Sequence, residues 1–346
     1  MKKIGIWIII CALILTGCNQ RDMVEDNTIK IGLSFDSFVI ERWHREQDAF
    51  VSKAEELGAT VYVQNANGEV DKQIDQIEYF IKEDVDTIVI IPTDADAIVP
   101  IIKKAQTQGI KIISYDRLIR NAGTDLYISF DNKMIGELLT QELLNEVEDG
   151  ENIIVVMGSP ADYNVDIIDA EFERLSKRRN IHVLEKVYAE NWLSETAFNV
   201  VSAHLSEGEE ISGIFCGNDD LAQQAIKALS EYRRAGSVCV VGQDGDLSAC
   251  QRIVEGTQNM TIYKNVIMMA RQAAIMAVEL AKGETPDIEE QINDGTKDIP
   301  YYRMLPEKVN KENMDEVIIQ SGFHLKEEVY LNLLDKEEET DQNIIQ

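Results

Sequence analysis

The residues with the most chemical capacity in this 346-residue chain stand just after short apolar runs. Arg42 and Trp43 follow the run 29–35, and Asp116 and Arg117 follow 111–115. Asp162 and Asn164 follow 152–157, Trp192 follows 182–188, and Asn218 follows 213–216. Gln243 and Asp244 follow 237–241, and Lys264 ends 260–263. Carboxylates and amides bind pairs of hydroxyls, and Arg and Lys donate to ring and hydroxyl oxygens. An indole offers a flat apolar face to C–H groups. That mixture suits a polyhydroxylated ligand such as a sugar. Its Asp, Arg and Lys charges roughly balance, which points to a neutral ligand rather than an ion. Each residue also has a plainer role open to it. Trp43 shares helical spacing with Phe50, Ala54 and Leu57 and reads equally as core packing. Asp116 suits a turn, and Asp162 and Asn218 suit helix caps. Trp192 could be a lone packed aromatic, and Arg42 and Lys264 solvated charges.

The same chain lacks the marks of catalysis. No G-x-S-x-G, G-x-G-x-x-G, Walker loop or H-E-x-x-H occurs, and no nucleophile stands beside a base. His44, His182, His204 and His324 are scattered without ligand spacing, so no metal and no cofactor is expected. The expectation is a binding protein, not an enzyme.

Strong alternation of short β-rich runs with amphipathic helical runs must position these residues. Strands are expected at 29–35, 60–64, 87–91, 111–115 and 126–129, each followed by a helix except the fourth. The rhythm restarts near residue 150, with strands at 152–157, 182–188, 213–216, 237–241 and 260–263. Parallel strands need crossover helices, so the fold class is α/β with parallel sheets. So many units exceed one sheet of usual size, and two doubly wound domains fit better than a barrel. Ligands of such sheets bind beyond the carboxyl ends of the strands, where the polar residues stand.

The first residues carry a different chemistry. Lys2 and Lys3 precede an apolar run, 4–15, broken only by Gly5, and then Leu15-Thr16-Gly17-Cys18. A basic start, a short apolar region and small residues before a cut make a secretory leader, too short for a comfortable membrane span. The Leu-Thr-Gly-Cys ending resembles a lipobox. Residues 1–17 are therefore expected to be a lipoprotein signal peptide, Cys18 the lipidated residue anchored in the bilayer, and 18–28 a tether. The formal charge of −29 argues against nucleic acid as a partner. Cys216, Cys239 and Cys250 read as buried thiols, with one disulfide a possible alternative. The stretch 331–346 is an acidic tail.

The polar stretches also carry a resemblance. Glu41-Arg42-Trp43, Gln64-Asn65-Ala66-Asn67-Gly68, Tyr115-Asp116-Arg117 and Tyr127-Ile128-Ser129-Phe130-Asp131-Asn132 are joined by Gly242-Gln243-Asp244 and Thr261-Ile262-Tyr263-Lys264. Together with Asn293-Asp294-Gly295 and the stretch 315–324, they resemble the xylose-binding members of the type I periplasmic binding protein family. The resemblance spans roughly 29–328. It implies two doubly wound lobes joined by a three-strand hinge and closing over one sugar. It assigns 29–131 with 264–292 to one lobe and 132–263 with 293–330 to the other. Carried over, the sugar contacts are Arg42, Trp43, Asp116, Arg117, Asp162, Asn164, Trp192, Asn218, Asp244 and Lys264. The implied ligand is D-xylose or a related aldose. The implied partner is an ABC importer permease on the outer face of the cytoplasmic membrane, or alternatively a membrane sensor kinase. A repressor sharing this fold would need a helix-turn-helix where the leader stands.

Overall fold

A computed structural model describes residues 28–333. The leader, Cys18 and nearly all of its tether, and residues 334–346 of the acidic tail lie outside the described residues. Strand β1 (Lys30–Phe35), helix α1 (Arg42–Glu56), β2 (Thr60–Asn65), α2 (Val70–Lys82) and β3 (Thr87–Ile90) open the fold. They are followed by α3 (Val99–Thr107), β4 (Lys111–Tyr115) and β5 (Leu126–Phe130). After α4 (Asn132–Glu146) come β6 (Asn152–Met157), α5 (Tyr163–Ser176), β7 (His182–Tyr188) and α6 (Glu195–Ser206). The second set continues with β8 (Gly213–Cys216), α7 (Asp219–Glu231), β9 (Cys239–Val241), α8 (Leu247–Glu255) and β10 (Thr261–Tyr263). The chain then adds α9 (Val266–Ala281), β11 (Gln291–Asn293), β12 (Asp298–Met304) and β13 (Glu307–Val309). A π-helical turn (Asp315–Ile319) and α10 (Lys326–Val329) end it.

Two sheets carry the architecture. The first has the order β11-β12-β5-β4-β3-β1-β2, parallel except for β11, and the second has the order β7-β6-β8-β9. In the first lobe α1 and α9 cover one face, and α2 and α3 cover the other around Ile77, Phe80, Ile88 and Ile102. Strands sandwiched between helices are apolar on both sides, and β3 is buried at every position. Small residues on α9, Ala270, Ala273, Ala274 and Ala277, are buried, and the helix packs closely on α1. In the second lobe α4 and α5 pack together, and α6 packs on α7. The chain passes between lobes after β5, after β10 and after β12, which makes the three-strand hinge of the expected fold class.

One boundary differs from expectation. Strand β12, assigned by resemblance to the second lobe, pairs in parallel with β5 of the first, Tyr301 opposite Tyr127. Tyr301 and Tyr127 also stack at 4.8 Å, so the edge of the first sheet takes this strand before the chain crosses to β13. Residues 293–304 therefore belong with the first sheet.

Helix α5 reaches α4 at a glycine. A Cβ on Gly136 would lie 2.9 Å from the Glu171 Cβ and 3.0 Å from the Ile168 carbonyl oxygen. Gly136→Val should force the helices apart and lower unfolding free energy by about 1–3 kcal/mol. Urea unfolding checks this; an unchanged midpoint would mean that the two helices are not in close contact.

Candidate functional site

The site begins at the carboxyl ends of the first sheet. Helix α1 starts with Arg42 and Trp43, both buried. The Arg42 guanidinium lies 4.4 Å over the Trp43 ring, and Arg117 lies 5.8 Å from the same ring. Arg42 Nε donates to Glu46 Oε1 at 2.5 Å, and Nη2 donates to Asp116 Oδ1 at 2.9 Å. Glu46 also accepts from the Tyr115 hydroxyl. Arg117 Nη1 donates to Asp36 Oδ2 at 2.6 Å and to the Pro92 carbonyl at 3.2 Å. Asp116 has φ +62°, a strained value for a residue with a Cβ. Its carbonyl is fixed by three donors: Ser129 Oγ at 2.6 Å, Asn164 Nδ2 at 2.9 Å and Tyr127 Oη at 3.1 Å.

The second lobe supplies the facing wall. Asp162 caps α5, accepting from the Asn164 amide at 3.0 Å. Trp192 sits in a short 3-10 turn with φ +59°, after Asn191 at +50°. Its ring lies on the backbone of Gly158, where a Cβ would be only 2.1 Å from the ring. Asp244 has φ +120°, held by a buried carboxylate beneath it. Asp219 accepts from the amides of Gly245 and Asp246 at 3.1 and 3.2 Å, from Thr261 Oγ1 at 2.7 Å and from Gln258 Nε2 at 2.9 Å. Lys264 Nζ lies 2.5 Å from Asp244 Oδ1 and donates to Gln243 Oε1 at 3.2 Å.

The walls meet. Arg117 Nε lies 2.7 Å from Asp162 Oδ2, an ion pair without the alignment of a hydrogen bond. Arg42 Nη1 lies 3.7 Å from Asp244 Oδ1, and Asn164 reaches Asp116 as above. Between them is a cavity of about 30 Å³ lined by Ile40, Arg42, Trp43, Asp116, Arg117, Asn132, Asp162, Asn164, Ile168, Trp192, Gln243, Asp244 and Lys264. Three cations and three carboxylates line it. Burial works to raise the Asp116 carboxyl, but Arg42, Lys264 and Arg117 outweigh it and hold the group below its usual range. Burial pushes Asp162 up to about 6 against the pull of Arg117, with Asp116 adding to the rise. Burial likewise pushes Glu46 up to about 7 against Arg42. The indole N–H groups of Trp43 and Trp192 are buried donors with no acceptor.

Nine of the residues expected at the site thus stand together around one cavity. Asn218 does not. Its Oδ1 caps α7 by accepting from the Leu221 amide at 2.9 Å, while its buried Nδ2 has no partner. Gln243 and Asn132 line the cavity without having been singled out as contacts. Gln243 stands in the Gly242-Gln243-Asp244 stretch and Asn132 in the Tyr127–Asn132 stretch that carry the resemblance. Glu46 is hidden one helical turn beyond Arg42, where a charged residue in an amphipathic run looks solvated. Cys216, Cys239 and Cys250 are free and buried, and no group among the described residues could hold a metal ion.

Glu46 yields a test of these electrostatics. Its folded pKa of about 7 lies above the ordinary value of about 4.3, so the folded form binds the proton more tightly. Its stabilising contribution is greatest below the ordinary value and is lost as pH rises toward 7. Glu46→Gln does not titrate. Relative to that variant, the wild type should lose roughly 1–3 kcal/mol between about pH 5 and pH 7.5. Urea unfolding at both pH values checks this, and a constant difference would contradict the buried assignment.

Comparison with known proteins places this geometry. The model of a periplasmic binding protein domain matches residues 31–285. The chain is 39% identical over 307 residues to a D-xylose-binding periplasmic protein of Haemophilus influenzae, covering 87% of this chain and 92% of that one. It is 38% identical over 335 residues to a D-xylose-binding periplasmic protein of Escherichia coli, covering 95% and 100%. Among solved structures, it resembles an ABC transporter solute-binding protein from Clostridium phytofermentans with bound β-D-glucose. The TM-score is 0.78 at 25% identity, over 87% of this chain and 99% of that one. These relatives are binding proteins rather than enzymes. With its two-lobed α/β fold, the chain belongs to the periplasmic binding protein family.

Proposed function

We propose that this protein binds D-xylose, or a closely related aldose, between its lobes and presents the closed complex to an ABC-type sugar importer. Cys18 would carry the lipid that holds it on the outer face of the membrane. The observation that carries the reading is the charge-balanced set of polar side chains that both lobes bring around one cavity, which at about 30 Å³ would have to widen to admit a sugar. A neutral sugar adds no charge to three buried cations and three buried carboxylates. Its ring and hydroxyl oxygens can accept from the unpaired indole N–H groups of Trp43 and Trp192. The two D-xylose-binding relatives support the choice of ligand. Asp116, Asp162 and Asp244 would accept from hydroxyls. Arg42, Arg117, Asn164 and Lys264 would donate to sugar oxygens, and Trp43 and Trp192 would cover the ring. The unpaired Asn218 Nδ2 keeps a donor free for the same ligand. Closure is then a population shift, because the sugar contacts both walls only in the closed form.

Isothermal titration with D-xylose, with ribose, arabinose and glucose as comparisons, tests the reading. One-to-one heat with D-xylose as the preferred sugar is expected. Asp244→Ala should weaken binding at least about 10-fold, since a hydrogen bond to a charged group contributes roughly 1.5–3 kcal/mol. No heat with any of the four sugars, or unchanged affinity in the variant, would overturn it.

A further inference from the structure

A second contact joins the lobes outside the cavity. Arg45 lies on α1, next to the turn that carries Arg42. Its Nη1 donates to the Phe323 carbonyl at 3.2 Å, and its guanidinium lies 4.9 Å over the Phe323 ring. Its Nη2 lies 3.4 Å from His324 Nδ1. Phe323 and His324 belong to the second lobe, where Phe323 packs edge-on to Tyr263 at 4.8 Å. His324 is 4% exposed, and its Nε2 lies 2.7 Å from the Gly245 carbonyl oxygen. A carbonyl only accepts, so Nε2 carries the proton and Nδ1 is left to accept from Arg45. Gly245 directly follows Asp244, with φ +73° and its amide held by Asp219 and Thr261. One imidazole therefore touches both the helix of the first lobe and the loop that carries Asp244.

We propose that Arg45 and His324 are positioning residues, a clasp that fixes the Asp244 loop and favours the closed lobes while the imidazole is neutral. The inference rests on the reading that the lobes close over a sugar. Protonation would put an N–H on Nδ1 against the Arg45 guanidinium, removing the acceptor and bringing two cations together. The ring is faced by Arg45 on α1, by Glu41 just before that helix, and by the Gly245 carbonyl. Tyr263 lies behind Phe323, and Glu328 approaches from α10. Burial first, and Arg45 with it, hold the ring below its usual range, against the Gly245 bond, Glu41 and Glu328. The closed form then binds the proton less readily than an open form from which Arg45 has withdrawn. Closure is favoured fully above the ordinary histidine pKa of about 6.5 and is lost as pH falls below it.

Calorimetry with D-xylose from about pH 5 to pH 8 tests the clasp in wild type, His324→Gln and Arg45→Gln. The Gln amide can still donate to the Gly245 carbonyl but does not titrate. Wild type should lose about 5- to 10-fold more affinity toward acid than His324→Gln. Arg45→Gln, whose side chain is one-third exposed and should fold normally, is expected to bind more weakly near neutral pH with a flatter profile. Parallel profiles for wild type and His324→Gln, or unchanged affinity in Arg45→Gln, would overturn the clasp. If wild type binds no D-xylose, the sugar reading fails, and the clasp is still read by NMR titration of His324 without ligand. A depressed ring pKa that rises in Arg45→Gln supports it; identical titrations reject it.

Discussion

Everything at the centre of this molecule depends on keeping a buried set of charges neutral. Arg42, Arg117 and Lys264 face Asp116, Asp162 and Asp244 in a space nearly closed to water. An isolated ion there would be strongly unfavourable, so each is paired, and the pairs run between lobes as well as within them. Asp36 and Glu46 stand behind the two arginines. Burial pushes the Glu46 carboxyl up against the pull of Arg42, which favours its neutral form beside the other carboxylates. The backbone is bent to serve this arrangement. Asp116, Trp192 and Asp244 all adopt left-handed φ, each locked by hydrogen bonds or by close packing. Strain of that kind persists only where its surroundings over-determine it, and three such residues line this one cavity.

The same constraint explains why the site is divided between two lobes. On the proposed reading, complementary walls that meet only on closure would keep each set of charges hydrated while the cleft is open. Closure would remove that water, and the partners would then come from the opposite wall and from the ligand. The Arg117–Asp162 and Asn164–Asp116 contacts supply part of it within the protein. The indole N–H groups of Trp43 and Trp192 are left without an acceptor within the protein. Trp192 can approach Gly158 this closely only because that residue has no side chain.

Much of this was legible from sequence because strand ends are legible. A β-rich run that stops at Asp116 or Lys264 places the polar side chain at the sheet edge, and a helix following the first and sixth strands comes from the same alternation. What escaped depends on contacts between distant elements. Glu46 looks like any solvent-facing residue of α1 until Tyr115 and Arg42 are placed over it. Asn218 serves as a helix cap through its side-chain Oδ1, which leaves its buried Nδ2 unpaired beside the site, a split that residue type alone does not reveal. Strand β12 carries the mixed pattern Asp-Ile-Pro-Tyr-Tyr-Arg-Met, which does not announce a sheet. Its place beside β5 is set by register and by the Tyr127–Tyr301 stack, neither visible in local propensity.

The central claim is that two walls, incomplete apart, close over one neutral sugar. Small-angle scattering of the protein titrated with D-xylose tests it most directly. The account predicts a smaller radius of gyration on sugar addition, saturating at one equivalent together with the heat of binding. Saturable binding with an unchanged radius would contradict it.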